Sequence, residues 1–357
     1  MRAWHRTGVA TTLALLLLAT PGARAEDLAI TETGSTLMRP LFGLWAAGYA
    51  SHHPGVRITT AGTGSEAGMQ QALSGQVMIG ASDAPLPDAQ AAAHPEFVDI
   101  AMAISAQSVA VNLPGPGRPL RLDGPTLAGI YDGSIRQWDA PGIAALNPGV
   151  TLPHHAIVPV RRRDGSGDSF IFTQFLSFST PSWDGQTGFG TSPAWPQVTG
   201  ALEATGNDGM VQTLHATPYA IGYVGISSDL GTLATVALKN ADGAFVLPTR
   251  ETVIAGAAGL AARTPADERL SLVFAPGPDA YPLVNYEYAV VSTRQQSDAD
   301  AAALRRFLLW SIEPSEDKQA LLDQVRFVPL PPHTWELSQA QIQRIGTAMQ
   351  RSAAASP

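Results

Sequence analysis

The sequence predicts an α/β fold built on a mainly parallel sheet, and three observations predict it. Short apolar runs that read as strands end in turns rich in Gly, Ser and Thr, and helical patterns follow them. That order recurs, at 28–31 with the turn 32–36, at 56–60 with 62–68, and at 156–160 with 161–169. The chain has 357 residues, 45% hydrophobic and 15% charged, enough for two domains of ordinary size. In such sheets ligands collect where strands end and helices begin, so the turns are the place to look for function.

Residues 1–25 combine Arg2 and Arg6, an apolar stretch over 9–19, and Ala23-Arg24-Ala25. These are the parts of a cleavable export signal cut after Ala25, too short to span a bilayer comfortably. Its removal takes three of the 22 basic residues and no acid, leaving 19 against 30 and a formal net charge of −11. That balance argues against nucleic acid and anionic membranes as partners. Cysteine is absent, which excludes disulfides, thiolate metal sites and a lipid-bearing cysteine. The expected product is a soluble periplasmic protein.

The elements follow in order. A helix is expected over 37–52, where Leu37, Leu41, Leu44 and Trp45 recur at helical spacing before Pro54-Gly55. A strand at 56–60, a helix at 66–73 and a strand at 77–81 lead to Ser82-Asp83. A long strand over 101–112 stops at Leu113-Pro114-Gly115-Pro116-Gly117, a natural domain crossing. A helix is expected at 123–131 and an irregular loop over 179–200. Gly206-Asn207-Asp208-Gly209 opens another helix, and 220–226 reads as a buried strand. A strand at 286–292 and helices at 298–312, 315–323 and 338–350 complete the chain, with no fixed-period repeat.

Most of the chemistry sits in Arg161-Arg162-Arg163-Asp164-Gly165-Ser166-Gly167-Asp168-Ser169. Glycines 165 and 167 allow a tight turn, and Ser166 is placed to cap the next helix. A guanidinium beside carboxylates that only accept hydrogen bonds suits a protonated oxyanion. Ser35-Thr36 and Gly64-Ser65 offer two more helix starts. Each alone is most simply an N-cap, because one helix start favours an anion by only about 0.3–1 kcal/mol. Convergence of the three is what would matter.

Signatures of catalysis do poorly. No serine stands in Gly-x-Ser-x-Gly, there is no Gly-x-x-x-x-Gly-Lys, and lysine occurs only at 239 and 318. Residues 62–67 loosely imitate a dinucleotide fingerprint, but no ribose acid follows. The pairs His52-His53 and His154-His155 sit beside prolines and read as surface residues. No cofactor and no metal are expected.

Six blocks then carry a resemblance: residues 32–37, 62–65, 79–84, 164–168, 221–223 and 286–289. With these in order, the chain resembles the periplasmic phosphate-binding proteins of the phosphate-specific ABC transporter, most of all the actinobacterial cell-envelope form. The resemblance implies a two-lobed periplasmic binding protein of type II, each lobe a mixed, mainly parallel sheet flanked by helices. Lobe I would comprise 26–110 and 285–357, lobe II 111–284, with two hinge crossings near 107–113 and 282–288. It implies a monomer that captures inorganic phosphate, delivers it to a membrane-embedded ABC permease and catalyses nothing. By the family's motifs, Ser35, Thr36, Leu37 and Ser65 would donate and Asp83 would accept. Arg162, held by Asp164, would join Ser166, Gly167 and Asp168 from the other lobe. Asp168 stands where the enterobacterial pattern has threonine, and Arg163 departs from the usual small residue and would face solvent. A secreted phosphohydrolase, a binder of a related oxyanion or phosphate ester, and an envelope sensor are the competing readings.

Overall fold

The structure, a computed structural model, describes residues 28–114 and 118–347. The export signal expected over 1–25 and Gly115-Pro116-Gly117 of the expected crossing lie outside the described residues.

The chain opens with strand–helix–strand units. β1 (Leu28–Gly34) leads through a turn to α1 (Arg39–His52), β2 (Val56–Thr59) to α2 (Ser65–Leu73), and β3 (Ile79–Ser82) to α3 (Asp88–Ala93). β1 pairs in parallel with β2 and β3, which the helical crossovers between the strands make possible. α1 buries Leu41, Phe42, Trp45 and Tyr49 along one face. α2 lies very close to the sheet. A Cβ on Gly68 would stand 2.6 Å from Gly34 Cα and 2.7 Å from Thr33 O, so only glycine fits.

Next come β4 (Phe97–Val111), β5 (Arg121–Leu122), α4 (Gly124–Asp132), α5 (Pro141–Leu146) and β6 (Val158–Arg162). They are followed by α6 (Gly167–Ser179), α7 (Pro181–Gln186), β7 (Leu202–Ala204), α8 (Gly206–Ala216) and β8 (Ala220–Gly225). β9 (Ala234–Thr235), β10 (Ala237–Lys239), β11 (Phe245–Val246) and α9 (Arg250–Ala258) close this middle part. The last part holds β12 (Val284–Ser292), β13 (Arg294–Gln295), α10 (Asp298–Ile312), α11 (Glu316–Gln324), α12 (Pro332–Gln343) and β14 (Gly346–Thr347).

The terminal helix departs from the expected 338–350. It starts six residues earlier, at Pro332, because proline suits a first helical turn whose N–H groups have no intrahelical partner. It also ends earlier, so that β14 can pair with β13; residues 348–357 lie outside the described part. The loop over 179–200 contains α7, and α9 is an element the sequence reading did not anticipate.

The main sheet runs β2-β1-β3-β12-β4-β8-β6-β7, with β9 also on β4. Its two ends are parallel wings, β2-β1-β3 and β8-β6-β7. Antiparallel β12 and β4 join them. β4 changes partner midway. Through Ala106 it pairs with β12, and from Gln107 onward with β8. Aromatic packing anchors both wings: Tyr49 meets Phe307 edge-on at 5.3 Å, and Phe172 stacks on Tyr223 at 4.5 Å.

Two buried acids give the fold a pH dependence. Burial pushes Asp99 up to about 7, although Leu86 N donates to it, and Glu268 up to about 8, although Ser338 Oγ donates to it. Both values exceed the ordinary 3.8 and 4.5, so folding takes up protons in between. Their stabilising contribution is whole below about pH 4 and is lost as pH rises through the folded values. Each group accounts for at most about 1.4 kcal/mol per pH unit. The ligand-free protein is therefore expected to melt at a lower temperature at about pH 8.5 than at about pH 5.5, and Glu268→Gln to narrow the gap. A melting temperature that rises across this interval would contradict the assignment.

Candidate ligand-binding site

The first cluster forms where β1 and β3 end and α2 begins. Ser35 Oγ accepts from the amides of Leu37 at 3.1 Å and Met38 at 3.0 Å and donates to Asp83 Oδ1. Ser65 Oγ donates to Asp83 Oδ2 at 3.3 Å and accepts from Asp83 N at 3.3 Å. Two hydroxyls from different turns thus converge on one carboxylate.

The second cluster forms where β6 ends and α6 begins. Arg162 Nε donates to Asp164 Oδ1 at 2.8 Å, Nη2 to Asp164 Oδ2, and Nη1 to Asp168 Oδ2 at 2.6 Å. Three of the five guanidinium N–H groups are engaged, leaving two. Ser166 caps α6 by accepting from Ser169 N at 3.3 Å, which leaves the Gly167 and Asp168 amides without an intrahelical partner. Tyr223 OH accepts from Arg162 N at 3.0 Å, fixing the end of the strand.

The clusters meet. A Cβ on Gly167 would stand 2.5 Å from Asp83 Oδ2 and 2.6 Å from Ser65 Oγ, so a hydrogen is all the position holds. Glu66 N donates to Gly165 O at 3.2 Å. Asn207, at the start of α8, donates through N and Nδ2 to Thr36 Oγ1 at 3.2 and 3.0 Å, and through Nδ2 to Asp168 Oδ2 at 2.8 Å. At the rim Arg39 pairs with Asp208 at 2.8 Å, and Ser192 Oγ donates to Glu66 Oε2 at 2.5 Å.

All ten expected residues therefore lie in one contiguous cluster. Ser35, Leu37, Ser65, Asp83, Arg162, Ser166 and Asp168 are each 3% exposed or less; Thr36 and Asp164 are half-buried. Arg163 points outward and pairs with Glu203 at 3.3 Å. The four histidines of the two pairs are exposed.

Four further residues of this cluster are not among the expected site residues. Gln107 Nε2 donates to Asp168 O at 2.9 Å and Oδ1 at 3.0 Å. Asn285 Nδ2 donates to Asp83 O at 2.8 Å. Asn207 bridges the clusters, and Glu287, fully buried on β12, faces the Asp83 carboxyl.

Carboxyls outnumber the one guanidinium. Burial raises Asp83, opposed by its contact with Glu287, the Ser35 hydroxyl and the Arg162 charge. Burial and the charge of Asp83 push Asp168 up to about 7 against the pull of Arg162. Asp164 is less buried. There the bonds and charge of Arg162 overcome desolvation and hold it below the usual carboxylate range. Arg162 stays charged, since its aspartates outweigh the cost of its burial. A fully ionised anion would leave these carboxylates without a donor; one that carries protons can donate hydrogen bonds to them.

Helix starts from two sheet wings, closed over a buried Arg–Asp cluster, define a two-lobed solute-binding protein. A family model described as a PBP superfamily domain matches residues 19–315. The phosphate-binding protein PstS of Xylella fastidiosa strain 9a5c is 32% identical over 313 residues, 87% of this chain and 84% of its own length. That of Pasteurella multocida is 30% identical over 331 residues, covering 92% and 94%. PstS 2 of Mycobacterium tuberculosis, at 30% over 314 residues covering 84% and 82%, sets likeness to an actinobacterial form beside these. A solved high-affinity periplasmic phosphate-binding protein, PfluDING, has a TM-score of 0.71 at 22% identity, covering 88% of this chain and 93% of its own. The chain belongs to the PstS family of phosphate-binding proteins. Among the described residues, no helix is long and apolar enough to cross a membrane.

Proposed function

We propose that this protein captures inorganic phosphate outside the cytoplasm and hands it to a membrane-embedded ABC permease. The observation that carries the reading is Asp83, a buried carboxylate fixed by two hydroxyls and facing a cluster rich in acids. Such a group accepts a proton from phosphate, whereas sulfate brings none and leaves like charge and an unmade hydrogen bond. Arg162 supplies the attractive charge, and Ser35, Thr36, Leu37, Ser65, Ser166, Gly167 and Asp168 supply hydroxyls and amides. Asp164 orients the guanidinium.

The two lobes comprise residues 26–110 with 285–357, and 111–284, and they pivot where β4 exchanges β12 for β8. Residues 1–25 direct export and are removed, so the mature protein works in the periplasm as a monomer without covalent chemistry. Calorimetry of the mature protein tests this. Phosphate is expected to bind one to one, and sulfate about 10⁴-fold more weakly, the discrimination reached by sites that bond a ligand hydroxyl. Equal binding of the two anions would overturn the reading. Release of the alcohol from an aryl phosphate, with zinc or magnesium present, would favour a hydrolase instead.

A further inference from the structure

Glu287 is the buried acid of the site without an assigned task. Asn285 and Glu287 stand two apart on β12 and share a face. Asn285 Nδ2 donates to Asp83 O at 2.8 Å, and Glu287 meets the Asp83 carboxyl itself. Glu287 Oε1 accepts from Ser105 Oγ of β4, while Oε2 has no donor from another side chain. The residue is 0% exposed. Two carboxyls in contact away from water do not both ionise, so one proton lies between them.

The surroundings decide which acid keeps it. Asp83 receives the hydroxyls of Ser35 and Ser65 and feels the charge of Arg162, all of which favour its anion. Glu287 receives Ser105 alone and faces Asp83 and, farther off, Asp168. We propose that Glu287 is a positioning residue for selectivity: it stays a neutral carboxylic acid, donates its O–H to Asp83, and thereby holds Asp83 as an ionised acceptor for a proton of the bound anion. Burial, reinforced by the charge of Asp83, raises Glu287 well above the usual carboxylate range, in keeping with this role. Were Asp83 to take the proton, it would become a donor and the site would welcome sulfate. The inference rests on the reading of this site as one for a proton-bearing oxyanion.

Two variants and two readouts test it. Glu287→Gln keeps a donor against Asp83, and its phosphate-over-sulfate preference in calorimetry is expected to stay within about tenfold of the parent's. Glu287→Leu removes the donor, and the preference is expected to fall about 100-fold or more from the roughly 10⁴-fold of an intact site. In the ligand-free protein at neutral pH, infrared difference spectra should show one carboxylic-acid carbonyl band lost in Glu287→Gln. A folded Glu287→Leu protein with the parent's preference would overturn the proposal, as would an unchanged carboxylic-acid signal in Glu287→Gln. Failure of the parent to bind phosphate would instead defeat the phosphate reading, with the infrared result still deciding where the proton lies. Should Glu287→Leu not fold, the glutamine variant and the spectra decide alone.

Discussion

Arg162→Ala is expected to cost the ligand-free fold about 3–5 kcal/mol, beyond abolishing phosphate capture. The guanidinium is buried, and so is Asp168, which it meets at 2.6 Å. Removing one partner of a buried pair leaves a charge that neither water nor a counter-ion compensates. Asp164 would lose its bidentate partner as well. Asp168, raised to about 7 even beside Arg162, escapes the penalty by binding a proton, so the full cost is expected only above neutral pH and should shrink as pH falls. Urea unfolding at about pH 8.5 and about pH 5.5 measures both effects. A variant within about 1 kcal/mol of the parent at about pH 8.5 would show that the pair contributes little. Arg162→Lys is a poor rescue, since one ammonium does not span Asp164 and Asp168 as a planar fork does.

Asp83→Asn is expected to change selectivity more than any other single substitution, lowering the phosphate-to-sulfate ratio by about 10³-fold or more. The shape is kept, and the amide oxygen can still accept from Ser35 or Ser65. The amide N–H₂, however, donates, so it suits an unprotonated oxygen and repels no anion. Stability should hold or rise, because a buried carboxyl beside Glu287 has been made neutral. Calorimetry with each anion separates the outcomes. If phosphate affinity falls while sulfate still fails to bind, Asp83 is not the discriminating group.

The local parts of this site were legible in sequence because each is a short strand–turn–helix unit. Ser166 as the cap of α6 and Gly64-Ser65 at the start of α2 needed only their neighbours to be read. Their convergence was not legible from the turns themselves, since it depends on pairing between strands far apart in the chain, and the family likeness supplied it. Gln107, Asn285 and Glu287 fall in the expected hinge crossings, and Glu287 in a block that carries the resemblance, but none is an expected site residue, because the apolar runs around them carry no turn chemistry. Their polarity was itself a signal: in a strand buried along its length, an amide or carboxyl must find a partner. α9 escaped notice for a different reason. Its sequence is small and weakly periodic, and its capping box uses Thr252 where glutamate or glutamine is the usual mark.

Each of the two long strands that join the wings holds one acid of the site by a side-chain amide, Gln107 gripping Asp168 and Asn285 gripping Asp83. Gln107 is also the first residue of β4 to leave β12 for β8. Flexing either strand there would pull directly on a proposed ligand-binding residue, on the Asp168 carboxylate through Gln107 and on the Asp83 main chain through Asn285. On the proposed reading, release of the cargo and swinging of the halves would be one mechanical event, and a permease that pries the wings apart would loosen the ion by the same stroke.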